Sequence, residues 1–406
     1  MAVGETEWPF MHPVQGVSLG VANARIKDND KNDLLVIQIS QGSTVSGVFT
    51  KNSFCAEPVK IAKEHLAKDK PRYFIVNSGN ANACTGDAGY AAAMDCCIEL
   101  ARIGEVSKES VIPFSTGVIG ELLPVNKITS SIPAAVKNLG VDNWRDAAEA
   151  IMTTDTRAKG ASVEVVLQGG KCKISGVAKG AGMINPMMGT MLAFVATDAA
   201  INQDVLHQLC RKSADASFNR ITIDGDTSTN DACMLVATGK AENTEIRDVG
   251  SDDYLRIEQA LIAVFQKLAQ AIVRDGEGAT KYVEVVVKSG GASSECWDVA
   301  YEIAHSPLVK TALFASDPNW GRIVAAIGNA GIKDLESKKV KVWLNDLLVV
   351  EAGGRADTYS EEKGQAEMNK SEITITVDLA RGAFSENLWT TDLSHEYVKI
   401  NAEYRS

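Results

Sequence analysis

Eight short runs rich in β-branched residues, at 34–39, 73–77, 162–168, 191–197, 233–238, 282–288, 340–343 and 373–377, recur along the whole chain with helical patterns between them. That recurrence constrains the fold more than any other feature. Runs of four to eight β-branched and apolar residues read as strands, and several alternate apolar with polar, as strands with one wet face do. Helical periodicity covers 87–103, 134–137 continuing through 142–152, 204–216, 252–274 and 361–369, with Asp87, Asp142 and Asp252 placed as N-terminal caps. The expectation is an α/β (α+β) chain, sandwich-like, with mixed or antiparallel sheets covered by helices.

Charge and composition narrow the function classes. Lys and Arg total 41 against 52 for Asp and Glu, a net charge of −11. Such a surface repels phosphates and anionic headgroups, so neither nucleic acid nor a membrane is expected as a partner. No window approaches a spanning length, and the N-terminal residues lack the basic-then-apolar order of a signal peptide, which gives a cytoplasmic expectation. The eight cysteines form no C-x-x-C pair, and the five histidines never fall within a few positions of one another. They supply neither a disulfide framework nor zinc spacing, so no metal and no cofactor are expected.

Several segments are too polar and too small to be core. N-S-G-N-A-N-A-C-T-G at 77–86 reads as a strand-to-helix loop with Asx-turns. F-S-T-G-V-I-G at 114–120 places a hydroxyl, Thr116, beside an unhindered N–H, Gly117, a pair able to serve one anionic oxygen; by itself it also reads as a turn. T-T-D-T at 153–156 closes a helix with residues that form helices poorly. The most informative stretch is G-V-A-K-G-A-G-M-I-N-P-M-M-G-T at 176–190, running at once into a strand.

That stretch is no phosphate loop, because Lys179 precedes its glycines and G-x-x-x-x-G-K-[ST] is absent; G-x-S-x-G is absent as well. Thr190 offers another chemistry. Were the Gly189–Thr190 bond cut, Thr190 would present a hydroxyl and a free α-amine together. Such an amine, with a pKa of about 8, can act as general base at neutral pH. Gly189 permits the strained backbone that attack on its own carbonyl requires, although a Gly-Thr pair alone reads equally as relief of crowding at a strand entry. D-G-D-T-S-T-N-D at 224–231 lacks the glycine and closing Glu of a calcium loop and reads also as a polar turn.

Taken together, K-G-A-G-M-I-N-P-M-M-G-T-M-L, T-T-D-T, D-G-D-T-S-T-N-D, D-G-E-G-A-T-K at 275–281, D-P-N-W-G-R at 317–322 and the terminal N-A-E-Y-R-S resemble the ornithine acetyltransferase family, also called glutamate N-acetyltransferase. The resemblance covers essentially the whole chain. It implies a precursor that cleaves itself into an α chain, 1–189, and a β chain, 190–406, assembled as an α2β2 heterotetramer. The implied activity is transfer of acetyl from N2-acetylornithine to glutamate in arginine biosynthesis, by a ping-pong cycle through an acyl-threonine, with acetyl-CoA as a second donor in some members. Carried over, Thr190 is the nucleophile and Thr116 with Gly117 the oxyanion hole. Thr153, Lys179, Thr190, Glu277, Asn401 and Ser406 are substrate contacts, and Gly189 with Thr190 is the cleavage site. Lys179 suits the α-carboxylate shared by both substrates and Glu277 the ornithine amine, an assignment that can be exchanged. The chain departs from the family in having Gly189 for alanine and Ser406 for threonine. The competing readings are a self-processing N-terminal-nucleophile aminopeptidase or amidase, with water as acceptor, and an uncleaved small-molecule binding protein.

Overall fold

A computed structural model describes residues 3–4, 7–27, 30–185 and 191–403. They divide into two compact units: Glu7–Asn219 with Asp226–Ile272, and Met1–Thr6 with Arg220–Gly225 and Val273–Ser406.

The larger unit holds strands β1 (Val17–Ala22), β2 (Leu34–Ile39), β3 (Thr44–Phe49), β4 (Tyr73–Asn80), β5 (Val111–Val118), β6 (Lys159–Leu167), β7 (Gly170–Lys179), β8 (Leu192–Thr197) and β9 (Ala232–Ala237). Its helices are α1 (Glu57–Lys68), α2 (Gly86–Gly104), α3 (Val125–Lys137), α4 (Trp144–Ala150), α5 (Gln203–Asp215) and α6 (Asp252–Arg274), the last two residues of α6 falling in the smaller unit. One sheet has the order β1-β2-β4-β5, the other β3-β9-β8-β7-β6. Both are mixed, since β4 runs parallel to β5 and β8 parallel to β9 while the remaining pairs are antiparallel.

Period-2 patterning explains how the sheets stack. Leu35, Ile37, Phe74, Val76, Ile112 and Phe114 of the first sheet share a core with Leu192, Phe194, Met234 and Val236 of the second, while Leu34, Val36, Tyr73 and Ile75 turn to the opposite core beneath α2 and α3. Phe194 meets Phe114 edge-on at 5.0 Å, and Phe114 meets Phe74 at 5.5 Å. This ring cluster joins the two sheets.

The smaller unit contains β10 (Tyr282–Gly290), α7 (Ser293–His305), α8 (Pro307–Phe314), α9 (Trp320–Asn329), β11 (Lys341–Leu344), β12 (Leu347–Glu351), β13 (Gly354–Arg355), α10 (Glu361–Met368), β14 (Glu372–Asp378), β15 (Phe384–Thr391) and α11 (His395–Ala402). Its sheet has the order β13-β12-β11-β14-β10-β15 and buries Val283, Val285 and Val287 against Cys296, Val299 and Ile303 of α7. No helix among the described residues is long and apolar enough to cross a membrane.

All eight expected strands are present, β2 with the expected bounds. Three departures have physical causes. Not every strand has the wet face read for several of the runs: β8 and β9 are buried on both faces, because sheet and helices cover them from either side. The pattern over 134–152 breaks into α3 and α4, and α3 begins earlier, at Val125. The expected caps are also corrected. Asp87 and Asp252 lie within the first turns of α2 and α6, and Asp142 precedes Asn143, the cap position of α4. A carboxylate inside the first turn still complements the helix dipole without accepting a cap bond.

Removing the ring that joins the sheets leaves a cavity with no neighbour free to fill it. Phe194→Ala is expected to destabilise the protein by about 3–5 kcal/mol, measured as the shift of the denaturant unfolding midpoint at unchanged slope.

Candidate active site

Two of the polar segments, 77–86 expected as a loop and 114–120 as a turn, begin inside strands. Thr116 and Gly117 lie near the end of β5, opposite a bulge in β4 at Gly79 and Asn80. Gly117 has φ +135°, and a Cβ there would fall 2.3 Å from the carbonyl carbon of Gly79, so only glycine lets β5 press against that bulge. The amides of 77–86 are occupied in holding it: Asn77 Nδ2 donates to the Asn80 carbonyl (2.8 Å), Ser115 Oγ to Asn77 Oδ1 (2.5 Å), and the Asn82 N–H to Asn80 Oδ1 (2.8 Å). The loop reading of this segment holds beyond Asn80, and its side chains are structural.

Lys179 ends β7, and its side chain, 3% exposed, donates from Nζ to Thr153 Oγ1 (2.7 Å) and Thr116 Oγ1 (3.2 Å). Three residues more than sixty positions apart at the extremes thus meet at one ammonium. A hydroxyl has one O–H and two lone pairs, so Thr116 can accept from Lys179 and still donate to a further oxygen.

Sequence reasoning missed the group that holds this arrangement. Asp155 is fully buried. Its Oδ1 accepts from Lys159 Nζ (2.6 Å) and from the Gly180 N–H (2.7 Å), and its Oδ2 accepts the Thr153 N–H (3.0 Å). Burial opposes its charge, but Lys159, Lys179 and the Gly180 N–H together outweigh burial and hold the carboxyl well below the usual carboxylate range. The available signal was an aspartate inside T-T-D-T with a lysine four residues later. Lys27 lies close by and donates to the Met152 carbonyl (2.8 Å); burial lowers its pKa, Asp33 resists, and Lys179 adds to the lowering.

Glu277 and Asn401 come together in the smaller unit, where Asn401 Nδ2 donates to Glu277 Oε2 (2.7 Å). Asp392 fixes their loop by accepting from the N–H groups of Thr280 and Lys281 (2.8 and 3.0 Å), and Ser394 Oγ donates to the Gly278 carbonyl (2.7 Å). Gly278, at φ +66°, lets α11 approach so closely that a Cβ would sit 2.5 Å from the Tyr397 nitrogen. Gly189, Thr190 and Ser406 lie outside the described residues. Among the described residues no three His, Cys, Asp or Glu side chains gather closely enough to hold a metal ion.

The ArgJ family model matches residues 18–406. The chain belongs to the ArgJ family. It is 53% identical over 406 residues, the full length of both proteins, to the arginine biosynthesis bifunctional protein ArgJ of Pseudomonas syringae pv. tomato, and equally to that of Pseudomonas fluorescens. Among solved structures, an arginine biosynthesis bifunctional protein argJ from Bacillus halodurans is 36% identical, covering 50% of this chain and 95% of its own, with a TM-score of 0.48. An ornithine acetyltransferase complexed with ornithine, from Mycobacterium tuberculosis, is 30% identical, covering 43% of this chain and 92% of its own, with a TM-score of 0.37.

Removing Asp155 takes the carboxylate away from the buried Lys159 ammonium, so Asp155→Ala is expected to cost about 3–5 kcal/mol in denaturant unfolding. The carboxyl is depressed in the folded state, so its contribution is complete above the unfolded value of about 3.9 and is lost as pH falls below it. Acid titration of the wild type should show this loss, and Asp155→Asn should lack it.

Proposed function

We propose that this chain moves an acetyl group from N2-acetylornithine to glutamate through an acyl-threonine formed at Thr190. Membership of the ArgJ family makes it an acetyltransferase of arginine biosynthesis; the route through Thr190 is the reading offered for this site. The observation that carries it is the Lys179 ammonium joining Thr116 and Thr153 at the end of the strand that leads into the G-A-G-M-I-N-P-M-M-G-T segment.

Processing comes first. The Thr190 hydroxyl attacks the Gly189 carbonyl, the C–N bond breaks as the acyl group shifts from nitrogen to oxygen and frees the α-amine, and water hydrolyses the resulting ester to restore the hydroxyl and separate the two pieces. In sheet terms the cut is tolerable, because β7 before it and β8 after it are hydrogen-bonded neighbours, which holds the pieces 1–189 and 190–406 together.

In the transfer, the α-amine takes the hydroxyl proton as Thr190 Oγ attacks the acetyl carbonyl of N2-acetylornithine. Donors from Thr116 and Gly117 receive the developing oxyanion. The C–N bond then breaks, the proton passes to the departing ornithine nitrogen, and an acetyl ester remains on Thr190. Glutamate's amine attacks that ester in the second half, releasing N-acetylglutamate and restoring the hydroxyl. Lys179 supplies the cation for the α-carboxylate common to donor and acceptor. Acetyl-CoA as a second donor to the same acyl-threonine is consistent with the bifunctional name of the two Pseudomonas relatives.

Thr190→Ala is expected to leave a full-length, inactive chain and Thr190→Ser a processed chain with residual turnover. Intact mass, N-terminal sequencing and acetyl release with and without glutamate check this; normal two-chain processing of the alanine variant would refute the assignment. Acetyl release that proceeds equally without glutamate would instead indicate a hydrolase.

Lys179→Ala is expected to weaken N2-acetylornithine and glutamate alike by more than about tenfold, the loss of a charge-assisted hydrogen bond of about 1.5–3 kcal/mol. Steady-state kinetics in both substrates measure it, and a defect in only one would rule out a shared carboxylate site.

A further inference from the structure

The D-G-D-T-S-T-N-D run takes no part in the reaction above, yet its last two side chains reach the strand carrying Thr116 and the N–H of Met191. Asn230 and Asp231, 6% and 1% exposed, stand immediately before β9. Asn230 Nδ2 donates to the carbonyls of Ala81 (2.6 Å) and Ser115 (2.9 Å). The Ser115 carbonyl belongs to the peptide group whose N–H is that of Thr116, so fixing the one orients the other. Asp231 Oδ1 accepts the N–H of Met191 (2.8 Å), the nitrogen covalently joined to the carbonyl carbon of Thr190.

The segment bearing these two side chains is itself held. The Thr50 N–H donates to the Asp231 carbonyl (3.0 Å), the Ala56 N–H to the Thr229 carbonyl (2.9 Å), and Thr50 Oγ1 to the Ser228 carbonyl (2.7 Å). Asp231 Oδ2 is buried and has no hydrogen-bond partner among the described residues. A carboxyl oxygen left in that state costs stability, so a polar turn alone does not account for it. Burial pushes the Asp231 carboxyl well above the usual carboxylate range, against the Met191 N–H, Lys179 and the nearby hydroxyls of Ser228 and Thr50. A neutral carboxyl can hold an amide without placing a negative charge beside a developing oxyanion.

We propose that Asn230 and Asp231 are positioning residues: adjacent side chains on one clamped segment that hold the Thr116 peptide and the Met191 N–H in register. The proposal rests on the Thr190 reading above. Because the register matters most when the nucleophile and the oxyanion donors act on one carbonyl, its loss should fall on the chemical step and spare substrate binding.

The test uses the full-length chain, following processing by intact mass and acetyl transfer from N2-acetylornithine to glutamate by steady-state kinetics. Asp231→Ala should slow processing and lower kcat by about tenfold or more, with KM within about twofold of wild type. Asp231→Asn, which keeps an acceptor oxygen and is neutral, should recover most of both. Asn230→Asp, equal in size but without amide donors, should lower kcat and leave KM. Wild-type processing and turnover in Asp231→Ala, a rise in KM at constant kcat, or an Asp231→Asn variant as impaired as the alanine would each overturn the proposal. Should Asp231→Ala be insoluble, the two isosteric variants decide: an active Asp231→Asn beside a kcat-impaired Asn230→Asp supports it, and any other pairing overturns it. Thr190→Ala run in parallel separates the two readings. If it processes normally, the Thr190 mechanism fails; if it is blocked while Asp231→Ala is normal, only the positioning role fails.

Discussion

The buried pair of Asp155 and Lys159 is the contact on which the site's order depends. Both side chains are fully buried, and burying two charges is unfavourable unless geometry and further hydrogen bonds compensate. Here the compensation is specific: the second oxygen and the remaining lone pairs of Asp155 take the N–H groups of Thr153 and Gly180. The same carboxylate that neutralises Lys159 therefore fixes the backbone at Thr153, one partner of Lys179, and at Gly180, which follows Lys179. Lys179 itself, close enough to strengthen the charge on Asp155, points its ammonium at two threonine hydroxyls. Remove the carboxylate and three elements lose their common reference at once.

The sheet arrangement places this electrostatic centre where it can be used. The adjacent pairs β4·β5 and β7·β8 bring their ends to the loops, and the ring cluster of Phe74, Phe114 and Phe194 holds the two sheets against each other behind them. Polar groups then occupy positions that core packing has already fixed. That is the condition for preorganised donors to act on a developing charge without rearranging. The bulge at Gly79 and Asn80, closed by Asn77, has the same effect on a smaller scale, since it sets the approach of the strand carrying Thr116 and Gly117.

In the smaller unit the loop carrying Glu277 is held by a different device. Asp392 and Ser394 sit just before α11 and bind the loop's N–H and carbonyl groups, so Glu277 and Asn401 meet although 124 positions separate them. Asp392 had no distinguishing mark in the sequence, because its neighbours T-T-D-L read like any strand end. Asp155 was at least inside a conspicuous polar run.

By itself the sequence determined the strands whose apolar residues repeat with period two, the family, and the chemical character of Thr116, Thr153, Lys179, Glu277 and Asn401, since each rests on local pattern or residue type. Among the strands it left unread are β1, β3, β5 and β7, whose glycines and serines dilute the apolar alternation, together with β12, β13 and β15, and it took the end of β4 for a loop and the end of β5 for a turn. Tertiary structure alone decided which carboxylate pairs with which lysine. It also decided that Asn230 and Asp231 reach two different strands, and that Gly117 must be glycine. Those are consequences of long-range packing: a short polar residue in isolation prefers a local turn, and only the burial supplied by a second sheet gives its hydrogen bonds a distant partner and a fixed direction.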